Sequence, residues 1–128
     1  MENPLRILVL DDEDSVRQSL AAFLEDLDYT VSLAADAEEA LDRIVQQSFD
    51  IAIVDIRLPG KDGNAFVREA SQHRPDMHFI IHTGSKQYIL PEDLRDLGIT
   101  DDQVLHKPVA NMTVFAEALR GLAPKGGD

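Results

Sequence analysis

The chain has 128 residues, the length of one ordinary domain with a sizeable core, and 44% of them are hydrophobic. Its 24 acidic residues against 12 basic ones give a formal net charge of −12. We therefore do not expect this chain alone to bind nucleic acid, because basic side chains are needed to neutralise the phosphates. The absence of cysteine excludes disulfides, thiolate metal sites and cysteine nucleophiles. No apolar stretch approaches membrane-spanning length, and residues 1–4 lack the start of a signal peptide. We therefore expect a cytoplasmic protein that does not enter the membrane.

Strand-like and helix-like segments alternate from the beginning of the chain. Arg6–Leu10 predicts a first strand, and the apolar residues that follow at helical spacing predict a helix with Asp14 or Ser15 as its N-cap. Tyr29–Ala34 predicts a second, weaker strand. The apolar positions of the first two predicted helices are Val16, Leu20, Phe23, Leu24 and Leu27, then Ala37, Ala40, Leu41, Ile44 and Val45.

The middle of the chain continues the alternation. Asp36 with Glu39 forms a capping box that begins the second helix. Ile51–Val54 is apolar throughout, which is typical of a buried strand in a parallel sheet. Gly63–His73 predicts the third helix, which ends before a proline.

The last third predicts two strands and two helices. His78–His82 is the fourth strand, and Asp102–Leu105 is a short fifth strand. Pro91 suits the first position of a short helix, Pro91–Leu97. Asn111 can cap the last helix, whose core-facing positions are Phe115, Ala118, Leu119 and Leu122.

Aspartates directly follow two of the predicted strands. Asp11 and Asp12 come after the first strand, and Asp55 comes after the third. Alternating strands and helices imply a parallel sheet with right-handed crossovers, in which the first and third strands are neighbours at a topological switch point. Three carboxylates at one sheet edge repel one another unless a cation shares them. The pattern therefore indicates a cation site at this edge.

These residues resemble the response-regulator receiver domain of two-component signalling, over essentially the whole chain. The resemblance is carried by Asp11-Asp12 after the first strand, the loop Asp55–Gly63 after the third, Thr83 at the end of the fourth and Lys107-Pro108 after the fifth. It implies a flavodoxin-like, doubly wound (βα)5 fold, with a five-stranded parallel sheet in the order 2-1-3-4-5.

The resemblance also implies a phosphoacceptor. Asp55 would take a phosphoryl group from the phosphohistidine of a sensor histidine kinase or a histidine phosphotransfer protein. Mg²⁺, or Mn²⁺, would be held by Asp12, Asp55 and the backbone carbonyl of Arg57, while Asp11 would act through water. The phosphorylated form would then switch a surface that binds an unknown downstream protein.

Two further side chains would serve the phosphoryl group by the same resemblance. Lys107 would contact one phosphoryl oxygen as a point charge, and Thr83 would donate its hydroxyl to another. The family pattern implies a cis peptide bond between Lys107 and Pro108. Arg57, Gly84 and Ser85 flank the site and would modulate the lifetime of the aspartyl phosphate.

The chain departs from the family pattern in one region. Many receivers carry an aromatic residue three positions before the lysine, where this chain has Val104, so a swing of an aromatic side chain coupled to Thr83 is in doubt. Pro91 lies where the fourth helix would normally run, which predicts a long loop and an atypically short fourth helix. We therefore expect a reshaped output surface, and a monomer or weak dimer.

Three classes of protein compete on this evidence. The first is a single-domain response regulator that turns over no external substrate and so is not an enzyme. The second is a receiver fold that acts as a phosphorylation-independent scaffold. The third is a magnesium-dependent phosphohydrolase, which would need a second acid where Arg57 stands.

Residues 4–123 are expected to form the receiver domain and residues 124–128 a flexible tail. The four histidines are scattered without metal-ligand spacing, so we interpret them as structural or solvent-facing and predict no zinc site. They are His73, His78, His82 and His106.

Overall fold

The computed structural model of the protein describes residues 5–109 and 111–122. Its strands are β1 (Arg6–Leu10), β2 (Thr30–Ala34), β3 (Ile51–Val54), β4 (His78–Thr83) and β5 (Val104–His106). They form one parallel sheet in the order β2-β1-β3-β4-β5, which confirms the predicted fold class and strand order. The expected domain limits, residues 4 and 123, and the expected tail at 124–128 lie outside the described residues.

The helices are α1 (Asp14–Asp26), α2 (Ala37–Gln46), α3 (Gly63–His73), α4 (Glu92–Asp96) and α5 (Thr113–Arg120). Neighbouring residues of a strand point to opposite faces, so the buried strands have two apolar faces. The helices cover both of them. Leu8 and Leu10 of β1 pack in a core with α2, α3 and α4, whereas Ile7 and Val9 pack in a second core with α1 and α5.

The two central strands bring the candidate site together. β1 and β3 are direct neighbours with Leu10 paired to Val54, so both strands end at the same level. The N–H of Asp55 donates to the carbonyl of Leu10 at 2.9 Å, which extends the ladder by one residue. The acids after β1 and β3 are therefore held side by side, as predicted from the alternation of elements.

Two helices begin on the caps that their sequences suggest. The side chain of Asp36 accepts the N–H of Glu39, and the Glu39 carboxylate in turn accepts the N–H of Ala35. Asp62 caps α3 by accepting the N–H of Ala65 at 2.9 Å. These caps satisfy backbone donors that a helix leaves unpaired in its first turn.

Other details of the prediction were wrong. Glu13, not Asp14 or Ser15, is the N-cap residue of α1, and its side chain makes no capping bond. Val45, in the last turn of α2, was expected in the core but is 60% exposed. Asn111 accepts the N–H of Thr113, but Met112 occupies the N-cap position of α5.

The fourth helix is short, as predicted, although Pro91 is its N-cap rather than its first residue. Gly98 follows with a φ of +100°, a left-handed conformation that favours glycine and ends the helix. Asp101–Gln103 is a 3-10 turn rather than strand, since Thr100 and Gln103 cap it reciprocally, so β5 begins only at Val104.

Among the residues described, no helix combines the length and the apolar character needed to cross a membrane.

Candidate functional site

The candidate site lies at the carboxyl ends of the strands. Asp11 and Asp12 follow β1, Asp55 follows β3, Thr83 ends β4 and Lys107 follows β5. The N–H of Lys107 donates to the carbonyl of Thr83 at 2.7 Å, which fixes the start of the last loop against β4. Four neighbouring strands thus deliver all five predicted residues to one edge of the sheet.

The three aspartates form a compact acidic cluster. One carboxylate oxygen from each of Asp11, Asp12 and Asp55 lies within 4.8 Å of the other two. Asp11 and Asp55 are 2% and 4% exposed, whereas Asp12 is open to solvent. In the described part of the chain this is the one group of such residues with the spacing of a metal site. Its two buried acids and one exposed acid leave an approach from solvent.

Lys107 supplies positive charge to this cluster. Its ammonium lies 2.9 Å from Asp11 Oδ2 and 3.3 Å from Asp55 Oδ2, with the exposed Glu13 at 3.4 Å. The peptide bond between Lys107 and Pro108 is cis, in agreement with the family pattern. The negative charge of the three aspartates exceeds the single positive charge of Lys107, so the cluster favours a further cation.

The surroundings shift the protonation of both buried partners. Burial raises the pKa of Asp55, and the negative charge of Asp11 raises it further, while Lys107 and the N–H of Arg57 act in the opposite direction. Burial alone would lower the pKa of Lys107, but its hydrogen bond with Asp11 and the charges of Asp11 and Asp55 raise it. Burial and the charge of Asp11 therefore disfavour the anionic form of Asp55, whereas Lys107 is held as a cation.

Every polar atom of Asp11 takes part in a hydrogen bond. Its N–H donates to the carbonyl of Ala34, its Oδ1 accepts the N–H of Glu13 at 2.9 Å, and its Oδ2 accepts from Lys107. Its carbonyl accepts from Arg17 Nη1 at 2.6 Å. The loop after β1 is thus fixed before any ligand binds.

The residues expected to modulate the site take different positions. Arg57 is exposed, and its backbone N–H rather than its side chain meets the site, by donating to Asp55 Oδ1 at 3.2 Å. Thr83 is fully buried and its hydroxyl accepts the N–H of Ser85 at 3.1 Å. Gly84 is exposed, and Val104 is half-buried against the core on the α4 side, away from the acids. The roles expected of these residues remain predictions.

Sequence reasoning missed two residues that shape the site. A Cβ added to Gly63 would lie 2.3 Å from the carbonyl oxygen of Asp55, so only glycine lets α3 approach this closely. Asp62 followed by Gly63 is typical of a helix start and does not indicate the close approach to Asp55. Arg17 holds the loop of Asp11, and nothing in its spacing set it apart from other helical arginines.

The histidines take no part in the acidic cluster. His82 is buried against Phe115 with the rings edge to face at 4.9 Å, and burial together with the charge of Lys107 lowers its pKa to about 4. His73 and His106 are exposed, and His78 is half-buried. These positions agree with the interpretation that the histidines are structural or solvent-facing.

The donor set suits a hard divalent cation. Carboxylate oxygens are the ligands that Mg²⁺ prefers, and Mg²⁺ usually retains several waters, for which the exposed side of Asp12 leaves room. The residues present therefore fit the metal that the resemblance implies. Asp12 and Asp55 are the side chains that would hold it, with Asp11 behind them.

Comparison with known proteins agrees with this geometry. The family described as response regulator receiver domain matches residues 7–119. The response regulator MprA of Mycolicibacterium vanbaalenii is 33% identical over 127 residues, which cover 97% of this chain and 54% of that protein. The transcriptional regulatory protein DltR of Streptococcus agalactiae is 30% identical over 97 residues, which cover 76% of this chain and 43% of that protein.

Solved structures give the same result. A CheY-like receiver domain protein from Methanospirillum hungatei has a TM-score of 0.80 and 31% identity, with 92% of each chain covered. The response regulator TrrA of Thermotoga maritima, solved in complex with Mg²⁺ and BeF, has a TM-score of 0.78 and 28% identity, covering 93% of this chain and 99% of that one.

The chain spans about half the length of the curated relatives it matches. That this is a single-domain regulator stays a prediction.

Proposed function

The chain belongs to the response-regulator receiver domain family, and from that premise we propose that Asp55 accepts a phosphoryl group from a phosphohistidine. The observation that carries the proposal is the position of Asp55, a buried carboxylate beside a lysine and two further acids. The donor would be a sensor histidine kinase or a histidine phosphotransfer protein, and the phosphorylated form would bind a downstream protein. The expected place of action is the cytoplasm.

The transfer forms one bond and breaks another. A carboxylate oxygen of Asp55 forms the new bond to phosphorus, and the bond from phosphorus to the donor imidazole nitrogen breaks, with its electron pair passing to that nitrogen. The barrier is mainly electrostatic, because an anion attacks a negatively charged group. Positive charge at the oxygens of the transferred group is therefore the main requirement of the site.

Lys107 meets part of that requirement. Its ammonium already lies 3.3 Å from Asp55 Oδ2, and its raised pKa keeps it charged at neutral pH. A transferred phosphoryl group brings oxygens that compete with Asp11 for this ammonium. Lys107 can then exchange a carboxylate partner for a phosphoryl oxygen with little loss of hydrogen bonding.

The metal would supply the remaining positive charge. When Mg²⁺ or Mn²⁺ is bound, it neutralises the acidic cluster and the developing charge on the transferred group. Asp12 and Asp55 would hold it by their side chains, and the backbone carbonyl of Arg57 would complete the protein ligands. Asp11 would orient metal-bound water, since its own oxygens are already engaged.

Thr83 would convert the modification into a change of shape. Its buried hydroxyl now accepts from Ser85, so its proton is free to be donated to a phosphoryl oxygen. A shift of Thr83 towards Asp55 would move the loop that follows β4. The protein acts once per phosphoryl group on its own side chain, and so is not expected to be an enzyme that turns over an external substrate.

Incubation with Mg²⁺ and acetyl phosphate, followed by intact-mass measurement, tests the proposal. We expect a mass gain of one phosphoryl group that requires the metal and is absent from Asp55→Asn. A wild-type chain that gains no mass under these conditions, and takes up no beryllofluoride, would be a phosphorylation-independent scaffold instead. The phosphohydrolase alternative predicts continuous turnover of the donor, with phosphate released in large molar excess over the protein.

A further inference from the structure

Tyr88 makes a long-range hydrogen bond that the proposed chemistry does not use. It lies between β4 and α4, half-buried, and its hydroxyl donates to Asn64 Oδ1 at 2.7 Å. Burial raises the pKa of Tyr88 to about 12, while the positive charge of Arg68 lowers it and the negative charge of Asp62 raises it. The phenol is therefore a proton donor at any physiological pH, and the bond ties the loop after β4 to the first turn of α3.

One end of this link leads back to Thr83. The hydroxyl of Thr83 accepts the N–H of Ser85 at 3.1 Å, and the carbonyl of Ser85 accepts the N–H of Tyr88 at 3.4 Å. Two hydrogen bonds within a six-residue segment thus connect the buried threonine to the tyrosine. A displacement of Thr83 would therefore be transmitted to Tyr88 through these two hydrogen bonds.

The other end leads to the phosphoacceptor. Asn64 follows Gly63, whose N–H donates to the carbonyl of Ile56 at 3.0 Å. Gly63 also lies so close to the carbonyl of Asp55 that no Cβ fits between them. The Tyr88–Asn64 bond therefore joins the loop after β4 to the first turn of α3, which packs against the backbone of Asp55.

The structure also holds space for Tyr88 to move. A cleft of 280 Å³ lies between the loop and β5, and Tyr88 and Val104 are both among the residues that line it. Valine is short, so the cleft remains open where a longer side chain on β5 would fill it. The ring of Tyr88 packs against the same core as Val104, and the cleft beside it is lined by Ile89 and Leu90 together with polar side chains.

We propose, on the basis of the proposed function, that Tyr88 carries the state of Thr83 to the surface formed by α3 and α4. The Tyr88–Asn64 hydrogen bond holds the loop in the unphosphorylated form. It is released when Thr83 turns towards a phosphoryl group on Asp55, and the ring then moves into the cleft beside Val104. Val104 and Tyr88 together thereby replace an aromatic residue on β5.

Thermodynamic linkage gives the first test. A bond that exists only in the resting form opposes activation, so removing it favours the active form and any ligand of that form. Tyr88→Phe and Asn64→Ala should each tighten the binding of beryllofluoride with Mg²⁺ by about fivefold, the worth of one net hydrogen bond. The double variant should gain no more than either single one. Ser71→Ala, which removes a hydroxyl bond on the exposed part of α3, is the matched control and should leave the affinity unchanged.

Tyrosine fluorescence gives the second test. The chain has no tryptophan and two tyrosines, so Tyr29→Phe leaves Tyr88 as the one emitting residue. ¹⁹F NMR counts bound beryllofluoride in the same sample. We expect binding to change both the emission of Tyr88 and its quenching by acrylamide, and Asp55→Asn to show neither change.

The two readouts separate the ways in which the inference can fail. Full occupancy by ¹⁹F NMR with unchanged Tyr88 emission, and an unchanged affinity in Tyr88→Phe, overturns the role of Tyr88 and leaves the proposed function intact. Absence of any bound ¹⁹F resonance in the parent protein contradicts the proposed function itself, and the role of Tyr88 falls with it.

Discussion

Two regions of the molecule differ in how tightly their residues are held. Around Asp55, buried carboxylates and one ammonium are fixed by backbone hydrogen bonds from three strands. From residue 84 to residue 103 the chain forms a loop, a five-residue helix and a 3-10 turn, and Ile89 within it is 80% exposed. The first region is preorganised for chemistry, and the second is less regular and has more exposed side chains. That contrast suits a protein whose reacting atoms must be fixed while its output surface changes.

Removal of the ammonium should have the largest effect on the fixed region. Lys107→Met leaves Asp11 and Asp55 buried without their cationic partner, and breaking a buried pair costs about 3 kcal/mol. In a buffer that contains a metal chelator, we expect the free energy of unfolding to fall by that amount. In excess Mg²⁺ we expect a smaller fall, because the cation replaces the missing positive charge. Urea unfolding with and without Mg²⁺ measures both values. Equal losses in the two conditions would show that the cation does not bind among these acids.

A substitution at Gly63, where α3 comes close to the site, should have the next largest effect on stability. Gly63→Ala forces a shift against the backbone at Asp55, and overpacking of this kind costs about 2 kcal/mol. We also expect slower phosphorylation, because the loop after Asp55 must move. Gly121→Ala is the matched control, since its Cβ would meet nothing closer than 3.5 Å. Equal stability of the two variants would refute this account of Gly63.

Acid should loosen the packing beneath the site. His82 has its pKa lowered to about 4 by burial and by Lys107, with Asp11 opposing, so between pH 6.5 and pH 4 the unfolded chain holds a proton that the folded chain does not. Stability contributed by neutral His82 is present above pH 6.5 and is lost as the pH falls, by about 2 kcal/mol at pH 5. The raised pKa of Asp55 acts with the opposite sign, so wild type is compared with His82→Gln. Identical pH profiles of unfolding free energy would exclude the role of His82.

The less regular region should tolerate the loss of a surface contact. Asp93→Asn breaks the ion pair between Arg68 on α3 and Asp93 on α4, both of which are largely exposed. Exposed pairs are screened by solvent, so we expect the smallest stability change of this series. The matching measurement is urea unfolding in low and high salt. A loss comparable to that of Lys107→Met would mean that α4 is fixed as firmly as the site.

The sequence predicted the region around Asp55 better than the less regular segment from residue 84 to residue 103, for a physical reason. Buried parallel strands appear in the sequence as continuous apolar runs, and the sheet determines where the residue after each run lies. The proximity of Asp11, Asp12 and Asp55 could therefore be predicted from the sequence alone. The short α4 was also predictable, because Pro91 restricts the backbone locally.

Contacts between distant segments left no such pattern. The bond between Tyr88 and Asn64 joins a loop to the first turn of α3 across 24 residues, and the close approach of Gly63 depends on how α3 packs. Neither has a periodicity or a spacing that a reader of the sequence could use. The same holds for the 3-10 turn before β5, which the capping of Thr100 and Gln103 decides.

The most direct test of the central claim is the chemical identity of residue 55 after phosphorylation. An acyl phosphate is reduced by borohydride to an alcohol, which converts a phosphorylated aspartate into homoserine. After treatment with acetyl phosphate and Mg²⁺, peptide mass spectrometry should find homoserine at position 55 and an unmodified acid at Asp11 and Asp12. Homoserine at another acid, or at none, would contradict the assignment of Asp55 as the phosphoacceptor.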